Sequence, residues 1–134
     1  MGLESIVKTY TEYVPGGEML ETVKNADAIA FLVDKSIGEN CRIYNRYKAT
    51  GSSVFCLSFG IPCIVSDDFV LDCGLEKKAI LYHGSHIETV FEDIMTGKIS
   101  KEDFKRLKAV PLDNGYSPEY QRRHYRSLLG VYNG

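Results

Sequence analysis

Three short apolar segments constrain the fold of this chain more than any other feature. They read DAIAFLVD (27–34), IPCIVSD (61–67) and AILYHG (79–84), and polar residues or glycine follow each apolar run. Continuous apolar runs of this length are typical of strands buried on both faces, as in a parallel sheet. Segments with helical patterning lie between and after them. The sequence therefore predicts an α/β domain with a mainly parallel sheet.

A further strand is predicted ahead of these three. Residues 5–14 (SIVKTYTEYV) alternate in side-chain character and are rich in β-branched and aromatic residues, and PGGE ends the segment. Such alternation favours a strand. Residues 35–50 are polar and predict a long loop, which in a compact domain is more often functional than not. Residues 68–78 predict a short loop or a one-turn helix.

Helices are predicted over residues 18–25, 51–59, 85–97, 100–110 and 117–131. The helix over 51–59 is apolar on nearly every side, which predicts burial, and Gly60 is placed to end it as a C-cap. Ser85 with Glu88, and Ser100 with Asp103, have the spacing of capping boxes. Ser117 with Pro118 has the pattern of an N-cap followed by a first-turn proline, and that closing helix is expected to turn its arginines outward.

Size and composition favour one folded domain over residues 1–134. The chain is 44% hydrophobic and 25% charged, with a net charge of −2, which gives no support for binding nucleic acid. No apolar run approaches the roughly 20 residues of a membrane span. The first ten residues lack the features of a signal peptide, so we expect a cytoplasmic protein. The four cysteines form no C-x-x-C pair, which predicts reduced thiols and no metal site.

A phosphate-binding pattern precedes and opens the helix predicted over 51–59. Its members are Lys48, Thr50, Gly51, Ser52 and Ser53. A helix N-terminus carries unpaired N–H groups and the positive end of the helix dipole, and small residues let a phosphate approach it. A lysine adds a mobile point charge. The alternative is an ordinary N-cap beside a solvated lysine, and the residue types leave both interpretations open. The P-loop pattern itself is absent.

Polar residues at two other predicted strand ends are further candidates. Asp67, Asp68 and Asp72 follow the second apolar segment, where carboxylates can bind a metal ion or ribose hydroxyls. His83 and His86 follow the third, where imidazoles can contact a phosphate or transfer protons. In both cases the alternative is a loop with solvated side chains. The residue types do not decide between these interpretations.

Several segments, in order, resemble the C-terminal, donor-binding domain of GT-B glycosyltransferases of group 1, including galactofuranosyltransferases. YVPGGEMLETVKNADAIAFLVD is similar to the family's G-x-V-P-x-x-E-L…A-D-V, and SFGIPCIVSDDF to its A-x-G-x-P-V-I-A-S-D. KKAILYHGSHIETVFEDI is similar to G-L-L-V-x-x-x-D-x-E-x-L-x-x-A-I, and YSPEYQRRHYRSLLGVY to the closing helix. YNRYK resembles a Tyr-Asn…Lys segment in which the lysine meets the donor diphosphate.

The resemblance implies a three-layer, Rossmann-like domain of the GT-B C-terminal type. It also implies a nucleotide diphosphate sugar as donor substrate, with no separate cofactor and no metal. The phosphates would lie over the N-terminus of the helix at 51–59, and Tyr44 and Asn45 would line the sugar or ribose. The matching phosphate-binding positions are Lys48, Thr50, Gly51, Ser52 and Ser53.

Two departures from the family pattern limit what the resemblance implies. Many members carry a Glu-x7-Glu motif where this chain has Tyr47 and Phe55, so no catalytic residue is assigned. The chain also lacks the acceptor domain and the first two strands of the donor domain, which makes the expected fold incomplete. We therefore expect that the chain is a fragment of a longer protein, that its sheet is rearranged, or that a partner completes it, the partner being an acceptor-binding domain, another chain or a second copy in a homo-oligomer. The predicted function is donor binding in sugar transfer, and the alternative is a non-catalytic nucleotide-binding or protein-interaction module.

Overall fold

The computed structural model describes residues 9–33, 51–71, 73–113, 122–123 and 126. Three parallel strands form a sheet in the order β1–β2–β3. The strands are β1 (Ile29–Ala30), β2 (Cys63–Ser66) and β3 (Ala79–Tyr82), and the helices are α1 (Gly16–Asn25), α2 (Gly51–Phe59), α3 (Glu88–Met95) and α4 (Lys101–Ala109). A 3₁₀ helix, Leu75–Lys78, precedes β3. The mixed α/β class and the parallel sheet are confirmed.

Alternate residues of each strand pack on opposite faces of the sheet, because the side-chain period of a strand is two. On one face, Phe31, Cys63 and Val65 form a core with Cys56 of α2 and with Leu75. On the other face, Ile64 and Tyr82 pack with Val90 of α3 and Phe104 of α4. Helical segments therefore cover both faces, and all four residues of β2 are buried between them.

Strand β1 is shorter than the apolar segment at 27–34 predicts. The ladder continues one residue beyond it, since Phe31 N–H donates to Ile64 O at 2.8 Å. Leu32, however, is 67% exposed. In the described part of the chain β1 pairs with β2 alone, so one of its edges has no neighbouring strand. A strand at the edge of a sheet buries less of its apolar surface than a central strand does.

Helix α2 ends as predicted but is less buried than predicted. Gly60 has a φ of +64°, and Ile61 N–H donates to Cys56 O at 3.1 Å, which is the bond of a Schellman C-cap. Within α2 only Cys56 is buried, and Val54 is 49% exposed. The helix packs on the sheet through Cys56, and its other residues are half-buried or exposed. The prediction of burial all round was therefore wrong.

The strand predicted over residues 5–14 is also wrong for the part that the structure describes. Residues 9–14 have irregular backbone with a bend at Thr11 and Glu12, and residues 5–8 lie outside the described ranges. Tyr13 is 89% exposed. Alternation makes a strand only when a neighbouring strand can pair with it, and the described sheet contains none for this segment. The helix predicted next is confirmed as α1.

One of the two predicted capping boxes is present. Ser100 Oγ accepts the N–H of Asp103 at 3.3 Å, and Asp103 Oδ2 accepts the N–H of Ser100 at 2.9 Å, at the start of α4. The predicted box at Ser85 is wrong, because α3 begins at Glu88 and its N-cap position is Ile87, without a side-chain cap. Gly84, with a φ of +56°, directs Ser85 into a turn ahead of the helix.

The connection from β2 to β3 is tied to the end of α4. Lys78 is buried, and its Nζ donates to Lys108 O at 2.9 Å and to Val110 O at 2.5 Å. Burial lowers the pKa of Lys78, but the carbonyls at a helix C-terminus favour a cation there. The predicted one-turn helix is confirmed by the 3₁₀ helix. Sequence reasoning did not identify the structural role of Lys78.

The closing helix lies mostly outside the described residues. Arg122, Arg123 and Arg126 have helical backbone and exposed side chains, as expected for its polar side. Ser117 and Pro118 belong to the part that is not described. Among the described residues, no helix combines the length and the apolar character that a membrane crossing requires.

Candidate functional site

Three chain segments meet the carboxyl edge of the sheet. Helix α2 lies between β1 and β2 in the chain, and these strands are parallel, so α2 begins at the edge where β1 ends. Asp67 and Asp68 follow β2 at the same edge, and His83 follows β3. Ligands of open parallel sheets bind at this edge. It is therefore the candidate site of the described domain.

Three of the residues predicted to bind phosphate, Gly51, Ser52 and Ser53, lie in the first turn of α2. Gly51 is exposed, and among the described residues no heavy atom lies within 4 Å of the position that a Cβ would take there. Ser52 and Ser53 are half-buried, and the first turn contains no acidic residue. Nothing acidic in that turn opposes the positive end of the helix dipole. The backbone at Gly51 is thus open to close approach by a ligand.

The remaining predicted ligand-binding residues cannot be placed in this geometry. Tyr44, Asn45, Lys48 and Thr50 lie outside the described ranges, and so does Tyr47. Their roles stay predictions. Gly51, Ser52 and Ser53 lie at the carboxyl edge of the sheet because they form the start of α2.

Asp67 and His83 form a hydrogen-bonded pair at this edge. Their Oδ2 and Nδ1 atoms lie 2.7 Å apart, and Asp67 Oδ1 accepts the N–H of Gly84 at 3.2 Å. The hydrogen bond from His83, followed by that from Gly84, lowers the pKa of Asp67. The same bond raises the pKa of His83. Both carboxylate oxygens are engaged by the loop after β3, which holds the imidazole in place.

Sequence reasoning treated these two residues separately, although the register contains the signal that joins them. Ser66 is paired with Tyr82 across β2 and β3, so the residues that follow them, Asp67 and His83, occupy equivalent positions. Asp67 N–H also donates to Tyr82 O at 2.8 Å. Had the pairing register of the segments at 61–67 and 79–84 been predicted, it would have placed Asp67 beside His83.

A second hydrogen-bonded pair of a histidine and a carboxylate, His86 and Glu88, lies a few residues further along the chain. Nδ1 of His86 is 2.9 Å from Glu88 Oε1, and this bond lowers the pKa of Glu88. His86 N–H donates to His83 O at 3.0 Å, so both histidines belong to one tight turn. Side chains of both pairs are exposed to solvent.

The other acidic candidates give no metal centre of three protein ligands. Asp68 N–H donates to Ser66 Oγ at 3.3 Å in the turn after β2, and Asp72 lies outside the described residues. In the part of the chain that the structure describes, no three His, Cys, Asp or Glu side chains converge to hold an ion.

Two of the cysteines in the described ranges, Cys56 and Cys63, are core residues. Cys56, Cys63 and Cys73 form no disulfide, and the first two are buried. Burial raises the pKa of Cys56 to about 12 and that of Cys63 to about 11, so both are neutral at physiological pH. These two thiols pack as small apolar groups and are unsuited to nucleophilic chemistry.

Phe55 occupies one of the positions where the resembled family often has a carboxylate. It is half-buried and stacks on Phe59, with ring centroids 6.4 Å apart and ring planes inclined by 22°. The position therefore serves packing within α2.

Comparison with protein-family models, with curated proteins and with solved structures finds no match to this chain.

Proposed function

We propose that this chain is the donor-binding part of a cytoplasmic glycosyltransferase that transfers a sugar from a nucleotide diphosphate sugar to an acceptor. One observation carries the proposal: α2 begins at the carboxyl edge of a parallel sheet, with an open glycine and no acid in its first turn. A helix start of this kind binds phosphate through backbone N–H groups and the helix dipole. The ordered resemblance to the donor domain of GT-B enzymes supports it.

In this proposal the diphosphate of the donor lies over Gly51, Ser52 and Ser53. Lys48 adds a positive charge and Thr50 a hydroxyl, while Tyr44 and Asn45 line the sugar or ribose. Negative charge develops on the diphosphate as the sugar leaves, and donors placed at that point stabilise the transition state. An acceptor-binding domain, a partner chain or a second copy completes the Rossmann-like fold and the active site.

Calorimetric titration with UDP, GDP and ADP tests the donor site. We expect at least one of them to bind, and Lys48→Ala to weaken that binding about 10- to 150-fold, since a hydrogen bond to a charged group contributes about 1.5–3 kcal/mol. Lys105→Ala is the matched control, because Lys105 is an exposed lysine of α4 paired with Glu102. No binding at millimolar nucleotide, or equal binding by wild type and Lys48→Ala, contradicts the proposal.

A second candidate function is a non-catalytic binding module built on the same fold. The observation that favours it is the stacking of Phe55 on Phe59 within α2. Phe55 stands at a position where the resembled family commonly has a carboxylate, and here that position serves packing. The titration separates the two candidates: nucleotide binding that depends on Lys48 favours the donor site, and its absence favours an interaction module.

A further inference from the structure

Two histidines stand at the ends of one tight turn. The hydrogen bond from His86 N–H to His83 O, at 3.0 Å, closes a β-turn over residues 83–86. In a β-turn the first and fourth Cα atoms lie within about 7 Å of each other. Both imidazoles are exposed, His83 by 90% and His86 by 65% of the side chain. The turn thus brings the backbones of the two histidines close together and leaves both imidazoles accessible.

Each imidazole is held through Nδ1 by its own carboxylate. His83 is 2.7 Å from Asp67, and His86 is 2.9 Å from Glu88. An ionised carboxylate only accepts hydrogen bonds, so Nδ1 carries the proton and the Nε2 lone pair of the neutral ring is left for another partner. Within the described ranges, neither Nε2 atom makes a hydrogen bond. Histidines that bind metals are commonly oriented in this way by a carboxylate.

The charge around the turn is suited to a cation. Asp67 and Glu88 are bonded to the two rings, and the charge of Asp68 also acts on His83. These carboxylates disfavour a phosphate at this point of the edge. Imidazole ligands prefer Zn²⁺, Cu²⁺ and Ni²⁺, whereas Mg²⁺ prefers oxygen. No third protein ligand is in place among the described residues, so water completes the coordination.

We propose that His83 and His86 bind one divalent transition-metal ion, such as Zn²⁺, through their Nε2 atoms. Asp67 and Glu88 act as positioning residues that orient the two rings. Two imidazoles and two waters satisfy the tetrahedral preference of Zn²⁺. The site is built from the turn after β3 and from Asp67 after β2, and it uses none of the residues of the proposed donor site.

Titration with ZnCl₂ at pH 7.5, followed by calorimetry, tests the site. We expect saturable binding of one ion, weakened at least about tenfold by His83→Asn and by His86→Asn. The third histidine, His124, lies outside this turn and supplies the matched control His124→Asn, which is expected to bind like the wild type. All variants retain the four cysteines, so differences among them isolate the contribution of the imidazoles. Circular dichroism checks that each variant is folded.

Two further measurements identify the roles of the carboxylates and the kind of ion. Asp67→Asn is expected to weaken Zn²⁺ binding by about 10- to 100-fold, as the loss of an orienting carboxylate does elsewhere. A large excess of Mg²⁺ is expected to leave Zn²⁺ bound. Equal Zn²⁺ affinity in wild type and either turn variant overturns the proposal. So does the absence of saturable binding, or displacement by Mg²⁺, which indicates oxygen ligands.

Discussion

At Gly74 the link between β2 and β3 meets the segment that leaves α4. Gly74 has a φ of +88°, and a Cβ placed on it would lie 2.7 Å from the backbone nitrogen of Asp113. Asp113 N–H donates to Cys73 O at 3.2 Å, and its carboxylate is 2.7 Å from Lys77 Nζ. Two separate features therefore require glycine at this position: its left-handed backbone and the close approach of the segment at Asp113.

Gly74→Ala is expected to lower the free energy of unfolding by more than the roughly 1–3 kcal/mol that left-handed backbone costs a residue with a Cβ. The excess arises because the added methyl group meets backbone and not a movable side chain. Gly97→Ala is the matched control, since Gly97 has a φ of +76° but no atom of the described part of the chain within 4 Å of its Cβ position. Urea unfolding measures both variants. Equal losses in the two would show that the contact with Asp113 has no energetic effect.

Single residues were the least predictable part of the molecule. Lys78 gives no sign in the sequence that it is buried, because its role depends on carbonyls that lie 30 and 32 residues further along the chain. The pairing of Asp67 with His83 depends on the register of two strands. Local patterns cannot show such contacts until the strand alignment is known.

Elements were predictable where one local pattern decides their structure. The segment at 61–67 forms a strand that is buried on both faces. The segment at 79–84 also forms a strand, but Leu81 is 56% exposed, so its predicted burial on both faces was wrong. Gly60 ends α2 with the expected left-handed backbone. The Ser85 box failed because Gly84 turns the chain before a helix can start. Residues 9–14, the described part of the strand predicted before Pro15, form no strand, because alternation specifies a strand only when a partner strand exists.

The capping box of α4 predicts a specific dependence of stability on pH. The pKa of Asp103 is lowered from 3.8 by the Ser100 hydroxyl and then by the Ser100 N–H, so the folded state favours the carboxylate. This stabilisation is fully present above about pH 4 and is lost as the pH falls through the lowered pKa. Asp103→Ala is therefore expected to be less stable than wild type at pH 6, with a difference that shrinks below pH 3.8.

Thermal unfolding from pH 2.5 to pH 6 measures this difference. Glu102→Ala is the control, because Glu102 lies in the same turn of α4 and forms only an exposed ion pair with Lys105. A constant difference between Asp103→Ala and wild type across this range would contradict the assignment of the effect to the ionised cap.

At the scale of the whole molecule, β2 joins the two halves of the core. Cys63 and Val65 point into the core on one face, and Ile64 points into the core on the other. A continuous apolar run such as CIVS predicts that the strand is buried on both faces of the sheet. It does not predict which helices pack on each face. In the structure, α2 and the 3₁₀ helix pack on one face of the sheet, and α3 and α4 pack on the other.

A core joined through one central strand predicts that the described domain unfolds as a unit. Phe104, 8% exposed, packs α4 against the sheet, and Phe104→Ala is expected to lower the free energy of unfolding by about 3–5 kcal/mol. Phe91→Ala is the matched control, since Phe91 is 45% exposed and should cost less. Far-ultraviolet and near-ultraviolet circular dichroism in urea are expected to report one coincident transition. Two separate transitions would show that the faces fold independently, and equal losses in both variants would contradict the packing of α4 through Phe104.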